Sequence, residues 1–317
     1  MKRALISGVT GQTGAYLAHR LLAHGYHVSG GSRDADSANV SRLEALGIAA
    51  DVELVSLAPA DFRSVLQVIR STRPDEIYYL AGQTSVGLSF DQPFEAFESI
   101  AVGTLNFLEA LRMLGMGCRF FNAGSTECFG NSPDEVITEE SVMRPVSPYA
   151  VAKATSFWMT SNYRKSYGLF ACTGLLSNHE SPLRAPRFVT SKIVEGIRAI
   201  KAGTQTSLRL GNTAIARDWG WAADYAEAIH RMTTADTADD YVIATGHTHS
   251  LTEFIARLCA MADLDPATIV TTDPMLLRPA DLTTTTLSPA KIRRDLGWQA
   301  TTEFAELVRK LYESELF

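Results

Sequence analysis

The sequence predicts an α/β fold, a doubly wound parallel sheet with a smaller α/β region after it. Three observations predict this. Short apolar runs of strand type alternate with helical patterns from Arg3 to Leu176, the rhythm of βαβ units. The first run passes directly into Gly8-Val-Thr-Gly11-Gln-Thr-Gly14, a glycine turn between strand and helix of the Rossmann type. After Ser177 the alternation breaks. That break divides the chain into a dinucleotide-binding domain at 1–177, extended by parts of 214–248, and a second domain at 178–317.

Taken in order, the expected elements begin with a strand at Arg3–Ser7 and a helix whose stripe is Tyr16, Leu17, Leu21 and Leu22. Strands follow at His27–Gly31 and Val52–Leu57, a helix at Asp61–Ser71 and a strand at Glu76–Leu80. One long helix is expected over Pro93–Leu114, carrying Phe94, Phe97, Ile100, Leu105, Phe107 and Leu108. A strand at Cys118–Asn122, a helix at Tyr149–Tyr167 and a strand at Phe170–Leu176 complete the first domain. Beyond it, Asn178–Pro182 reads as a loop, Val189–Lys201 as a helix and Leu208–Leu210 as a strand. Arg217-Asp-Trp-Gly220 leads into a helix at Ala222–Met232, then a strand at Tyr241–Ala244 and a helix at Leu251–Ala262. The chain closes with a loop at Leu277–Asp281 and helices at Pro289–Leu296 and Thr302–Tyr312. Right-handed crossovers would bring the ends of the first, fourth and fifth strands to one sheet edge.

Composition narrows the function classes. The 317 residues are 46% hydrophobic and 20% charged, an ordinary globular balance. A net charge of −6 offers no broad basic surface, so nucleic acid is not an expected partner. No apolar run reaches the ~18 residues of a membrane span, and no signal peptide precedes the first strand, so a cytoplasmic protein is expected. Cys118, Cys128, Cys172 and Cys259 are scattered, without metal-ligand spacing, and read as reduced structural thiols.

The glycine turn is a phosphate cradle. Its glycines let the backbone approach a pyrophosphate, and the helix N-terminus beyond offers free N–H groups. Gly8, Thr10, Gly11, Gln12 and Gly14 are therefore candidate cofactor contacts, with Leu80 and Ala81 at the end of the fourth strand. The second strand selects the cofactor. An NAD site places a carboxylate at its end, whereas this chain has Gly30-Gly31-Ser32-Arg33. Arg33, with Arg42 as a possible second, suits a 2′-phosphate, so NADP is expected.

The chemistry is expected between Asn122 and Lys153, a stretch holding Ser125, Glu127, Tyr149 and Lys153. Tyr149 and Lys153 are four apart, one turn from each other on a helix. Lowering a phenol from ~10 to ~7 needs on the order of 4 kcal/mol, which Lys153 and a positive nicotinamide ring could largely provide. Tyr149 would then exchange a proton with a substrate hydroxyl held by Ser125. Glu127 allows more. A carboxylate beside a carbon made acidic by an adjacent ketone can remove its proton and eliminate water. A carboxylate at this position is equally consistent with a solvated side chain or a helix cap.

GVTGQTGAYL, SPYAVAK, SNHESP, FVTSKI, RDWG and LRPAD, in that order, resemble the GDP-mannose 4,6-dehydratases of the extended short-chain dehydrogenase/reductase superfamily. The resemblance runs nearly end to end. It implies catalytic roles for Ser125, Glu127, Tyr149 and Lys153, and cofactor contacts from Tyr149 and Lys153. It implies a guanosine site at Asn178, Val189 and Lys192, and a diphosphate grip from Arg184, Arg217 and Arg278. Gln83 and Asp281 join the substrate site by the same resemblance. The family has Thr for Ser125, Glu for Asp281 and Asp for Thr13. The implied reaction makes a 4-keto-6-deoxy sugar from GDP-mannose or a GDP-manno-heptose in a homodimer or homotetramer. The alternative is a reductase or epimerase of a nucleotide 4-keto sugar on the same scaffold. Glu127 favours dehydration, since such enzymes generally lack a carboxylate there.

Overall fold

The computed structural model describes residues 1–277 and 279–317. Twelve strands and thirteen α-helices alternate along it. The strands are β1 Arg3–Ser7, β2 His27–Ser32, β3 Val52–Ser56, β4 Glu76–Tyr79, β5 Arg119–Ala123 and β6 Ala171–Leu176, then β7 Asn178–Glu180, β8 Leu208–Leu210, β9 Ala216–Trp221, β10 Tyr241–Ile243, β11 Thr248–Ser250 and β12 Val270–Thr272. The helices are α1 Gln12–Ala23, α2 Ser41–Ala45, α3 Phe62–Thr72, α4 Val86–Asp91, α5 Pro93–Phe97, α6 Gly103–Leu114 and α7 Pro148–Tyr167. They continue with α8 Val189–Lys201, α9 Ala222–Thr234, α10 Leu251–Ala262, α11 Pro266–Ile269, α12 Ala290–Leu296 and α13 Phe304–Glu313.

Seven strands form one sheet in the order β10-β6-β5-β4-β1-β2-β3, every neighbour parallel. Its central strands are buried along nearly their whole length, β4 and β6 without exception. Helices therefore cover both faces, as a parallel sheet requires. The strand order reverses between β1 and β4, and such a switch point opens a crevice at the carboxyl ends. The ends of β1, β4, β5 and β6 meet there.

Several differences from the sequence expectation have local causes. The run from Pro93 to Leu114 is helical throughout but passes through a π-turn at Glu98–Val102. The Tyr79 hydroxyl donates to the Ser99 carbonyl there, which diverts that carbonyl from the helical ladder. Asn178–Glu180, expected as a loop, is a strand, because β9 runs beside it in parallel register. The motif Arg217–Gly220, expected as a lead into a helix, lies inside β9, which β11 pairs on its other side. These short strands make a second sheet in the order β11-β9-β7. A second core of Trp219, Trp221, Phe254, Leu258, Phe304 and Leu307 packs behind it. Helix α9 returns to the large sheet: Ala222, Tyr225 and Ile229 join the core beside Ala15, Leu17 and Leu21 of α1.

The glycine turn is set by close approach. Gly8 has φ +89°, and a Cβ on it would stand 2.8 Å from the Ala81 amide nitrogen at the end of β4. A Cβ on Gly14 would collide with the Gly8 carbonyl, so this glycine lets α1 start against the turn. Gly14→Ala is expected to lower stability by about 1–3 kcal/mol in urea unfolding, the range for overpacking a tight site. A variant as stable as the parent would show that the turn can open without cost.

Candidate active site

Strand β5 ends at Ala123, and Ser125 caps a 3₁₀ turn at Thr126–Phe129. The Ser125 hydroxyl oxygen accepts from the Glu127 amide at 3.2 Å. The cap is thus Ser125 itself, and Glu127 is left to project its carboxylate into the crevice. Helix α7 begins on the other wall. Ser147 caps it by accepting from the Ala150 amide at 3.1 Å, and Pro148 occupies its first turn. Tyr149 and Lys153 follow in the first two turns, both on the buried face.

Lys153 is 6% exposed, and its ammonium donates to the Ala123 carbonyl at 2.6 Å. It stands 5.7 Å from the centre of the Tyr149 ring. Burial brings Lys153 down to about 8 from the ordinary 10.5, because desolvation disfavours its charged form. Burial likewise raises the Tyr149 phenol above its ordinary range, against a downward pull from the Ser125 hydroxyl. The sequence expectation joins Lys153 with a positive nicotinamide ring, and the protein groups by themselves leave the phenol above its ordinary range.

Gly8, Gly11, Gln12, Gly14, Leu80, Ser125, Glu127, Tyr149, Lys153, Asn178, Arg184, Val189 and Arg217 line one cavity of about 390 Å³. Thr10 and Ala81 stand just behind it, through the Thr10 carbonyl that accepts from Arg42 and the Ala81 amide against Gly8. Arg33 is exposed past the end of β2. Gln83 is half-buried, with its amide oxygen accepting from the Ser85 amide at 2.8 Å. Lys192 is half-buried on α8 outside the cavity lining. Asp281 accepts from Arg217 at 3.2 Å, and Glu127 lies 3.9 Å from the same guanidinium. Arg278 lies outside the described residues.

The bonds that join the glycine turn to the segment near residue 180 were not foreseen from sequence, nor was a role for His179 or Ser181. Gln12 donates to the His179 carbonyl at 2.9 Å and accepts from the Ser181 hydroxyl at 2.8 Å. The His179 ring bridges the Ser177 carbonyl at 3.0 Å and the Thr13 hydroxyl at 2.7 Å. A carbonyl only accepts, so Nδ1 carries the proton and Nε2 accepts from Thr13. Burial holds this imidazole down at about 4, hence neutral at pH 7. Arg42, weighed from sequence for a 2′-phosphate, donates instead to the Leu183 carbonyl at 2.7 Å and the Thr10 carbonyl at 3.0 Å. These bonds tie the glycine turn to the segment after β7. The polar density of SNHES was the only sequence signal for them.

The chain matches the GDP-mannose 4,6 dehydratase family over residues 5–311. It belongs to that family. A GDP-mannose 4,6 dehydratase of Arabidopsis thaliana is 39% identical over 99% of this chain and 87% of that protein. Relatives of the same name in Sinorhizobium fredii and Vibrio cholerae are 38% and 36% identical, each over 99% of this chain and over 97% and 94% of their own lengths. Among solved structures, a Thermus thermophilus UDP-glucose 4-epimerase in complex with NAD is 26% identical with a TM-score of 0.84, covering 99% of this chain and 100% of that one. A Bacillus anthracis dTDP-glucose 4,6-dehydratase in complex with NAD superposes with a TM-score of 0.85 at 18% identity, over 99% of this chain and 96% of that one. The latter shows the shared fold.

In this member of the GDP-mannose 4,6-dehydratase family, the buried ammonium has a testable cost. Lys153 titrates lower in the fold than in the unfolded chain, so the unfolded chain binds the extra proton between pH 8 and 10.5. Stability from this group therefore rises with pH through that window, and its penalty is complete below pH 8. Relative to the parent, Lys153→Met is expected to be more stable at pH 7, by an order of 1–3 kcal/mol after loss of the Ala123 bond. The difference should shrink towards pH 10. Urea unfolding at both pH values measures it, and a difference independent of pH would contradict the buried-charge reading.

Proposed function

We propose that this chain is a nucleotide-sugar 4,6-dehydratase that converts GDP-mannose, or a GDP-manno-heptose, to the 4-keto-6-deoxy sugar with NADP as a resident cofactor. The observation that carries the reading is Glu127 lining one cavity with Ser125, Tyr149 and Lys153. A reductase or epimerase needs the hydroxyl, phenol and ammonium but has no work for a carboxylate at this place.

The turn around Gly8, Gly11 and Gly14 fits a dinucleotide, since Gly8 packs against Ala81 and Gly14 against the Gly8 carbonyl, which holds the turn tight at the N-terminus of α1 where a pyrophosphate would meet free N–H groups. When bound there, the nicotinamide supplies a hydride acceptor that later becomes a donor. The protein's own part is the handling of protons. Tyr149 takes the proton of the sugar C4 hydroxyl, and Ser125 holds that oxygen. The ketone so formed acidifies the C5 proton, which Glu127 removes and delivers to the C6 oxygen as it leaves as water. The proton that Tyr149 has held is then returned to C5, which restores Tyr149 and closes the cycle with no second substrate consumed. Arg184 and Arg217 line the cavity as forked donors for the diphosphate.

NADP is favoured over NAD because the end of β2 carries no carboxylate and Arg33 stands exposed beside it. With Arg42 engaged by two carbonyls, Arg33 is the guanidinium proposed for the 2′-phosphate. Two copies are proposed to pair through α5, α6 and α7. A groove of about 570 Å³ there is lined by Pro93, Phe94, Phe97, Pro145, Val146 and Val151, and Phe94 is 84% exposed. A tetramer would require a further contact. No helix among the described residues is long and apolar enough to cross a membrane.

Three outcomes are expected. The protein with GDP-mannose and catalytic NADP⁺ should form the 4-keto-6-deoxy product without accumulating NADPH; inertness towards every GDP-hexose and GDP-heptose would defeat the proposal. Glu127→Gln should still exchange the C4 hydrogen with the cofactor yet lose product formation by about 10²–10⁴-fold, the usual range for a proton-transfer group. Product at the parent rate would remove Glu127 from the mechanism. Arg33→Ala should weaken NADP⁺ about tenfold, one lost charge-assisted contact, and leave NAD⁺ affinity unchanged; fluorescence titration with both cofactors tests this.

A further inference from the structure

One wall of the cavity holds an arginine that the preceding account leaves without work. Arg187 sits on the segment between β7 and α8, is exposed, and lines the cavity. Its guanidinium lies 5.3 Å from the centre of the Phe188 ring, whose face also receives Arg184 at 4.0 Å. From there Arg187 reaches across to the Thr84 hydroxyl at 3.5 Å, at the limit of a hydrogen bond. Thr84 belongs to the loop after β4, the opposite lip of the cleft. The contact therefore joins two segments that flank the mouth.

The charge around it is unbalanced. Arg184 has Glu180 at 3.2 Å, and Arg217 has Asp281 at 3.2 Å and Glu127 at 3.9 Å. Arg42 is answered only by carbonyls, and burial together with Arg187 pulls its titration downward. Among the described residues no carboxylate pairs with Arg187, and its hydrogen-bond partner is a neutral hydroxyl. A guanidinium in that setting gains most from a dianionic group that can take two of its N–H donors at once.

Resting on the nucleotide-sugar reading, we infer that Arg187 is a further substrate-binding residue: it exchanges the Thr84 hydroxyl for oxygens of the nucleotide-sugar diphosphate and so draws the two lips together over the sugar. The bond to Thr84 is long and solvent-exposed, so giving it up costs little. The contact would be to the diphosphate and not to the reacting sugar, which places it on binding more than on the proton transfers within.

Calorimetric titration of GDP, guanosine and NADPH into the full-length parent, Arg187→Ala and Arg187→Lys tests the assignment, alongside kinetics with GDP-mannose. Arg187→Ala should weaken GDP about tenfold or more, leave guanosine as in the parent, and act mainly on KM. Arg187→Lys should recover part of the charge but not the fork. GDP affinity within twofold of the parent would overturn the inference. So would a loss confined to NADPH, which would assign the phosphate to the cofactor. Weakened GDP binding together with no turnover of any GDP-sugar by the parent would retire the dehydratase reading while supporting Arg187.

Discussion

The bond from the Lys153 ammonium to the Ala123 carbonyl, 2.6 Å long and buried, is the constraint from which the candidate site takes its shape. It runs from the second turn of α7 to the last residue of β5, and so fixes the height of the helix against the sheet edge. Tyr149 lies one turn before the ammonium and Ser125 two residues after the carbonyl. One polar contact thus sets the phenol and the hydroxyl relative to each other. The arrangement opposes stability, since burial itself disfavours the charge. An ammonium kept at such a cost marks a position held for geometry.

A second anchor organises the opposite side. Asp218 is 1% exposed; it accepts from the Ser177 hydroxyl at 3.1 Å, the Thr245 amide at 2.9 Å and the Gly246 amide at 2.8 Å. These bonds pull against the burial that raises its titration. Side chains alternate along a strand, so Arg217 and Trp219 face the cavity while Asp218 between them holds the turn after β10. The motif RDWG is therefore two functions interleaved at a period of two.

The large sheet was legible because its strands are apolar runs separated by helices with clear stripes, as in Leu5, Ile6, Tyr78 and Phe121. Its glycine turn and the Tyr149–Lys153 spacing were legible for the same reason: local sequence specifies them. The second sheet was not. β7 and β11 are three-residue strands of polar type, NHE and THS, and only their pairing with β9 makes them extended. The bonds of Gln12, Thr13 and Arg42 to residues near 180 join positions far apart in sequence, which no periodicity reports. The π-turn was hidden likewise, because its cause is Tyr79 on another element.

One edge strand of the large sheet, β10, comes from residues 241–243 and pairs with β6 at 171–176. Parallel pairing across such a separation is slow to form. During synthesis β6 keeps one bare edge until residues 241–243 have left the ribosome and docked. An unpaired edge is a template for neighbouring chains, and partly made chains are the species that aggregate. Any chain truncated before residue 241 therefore leaves that edge of β6 open.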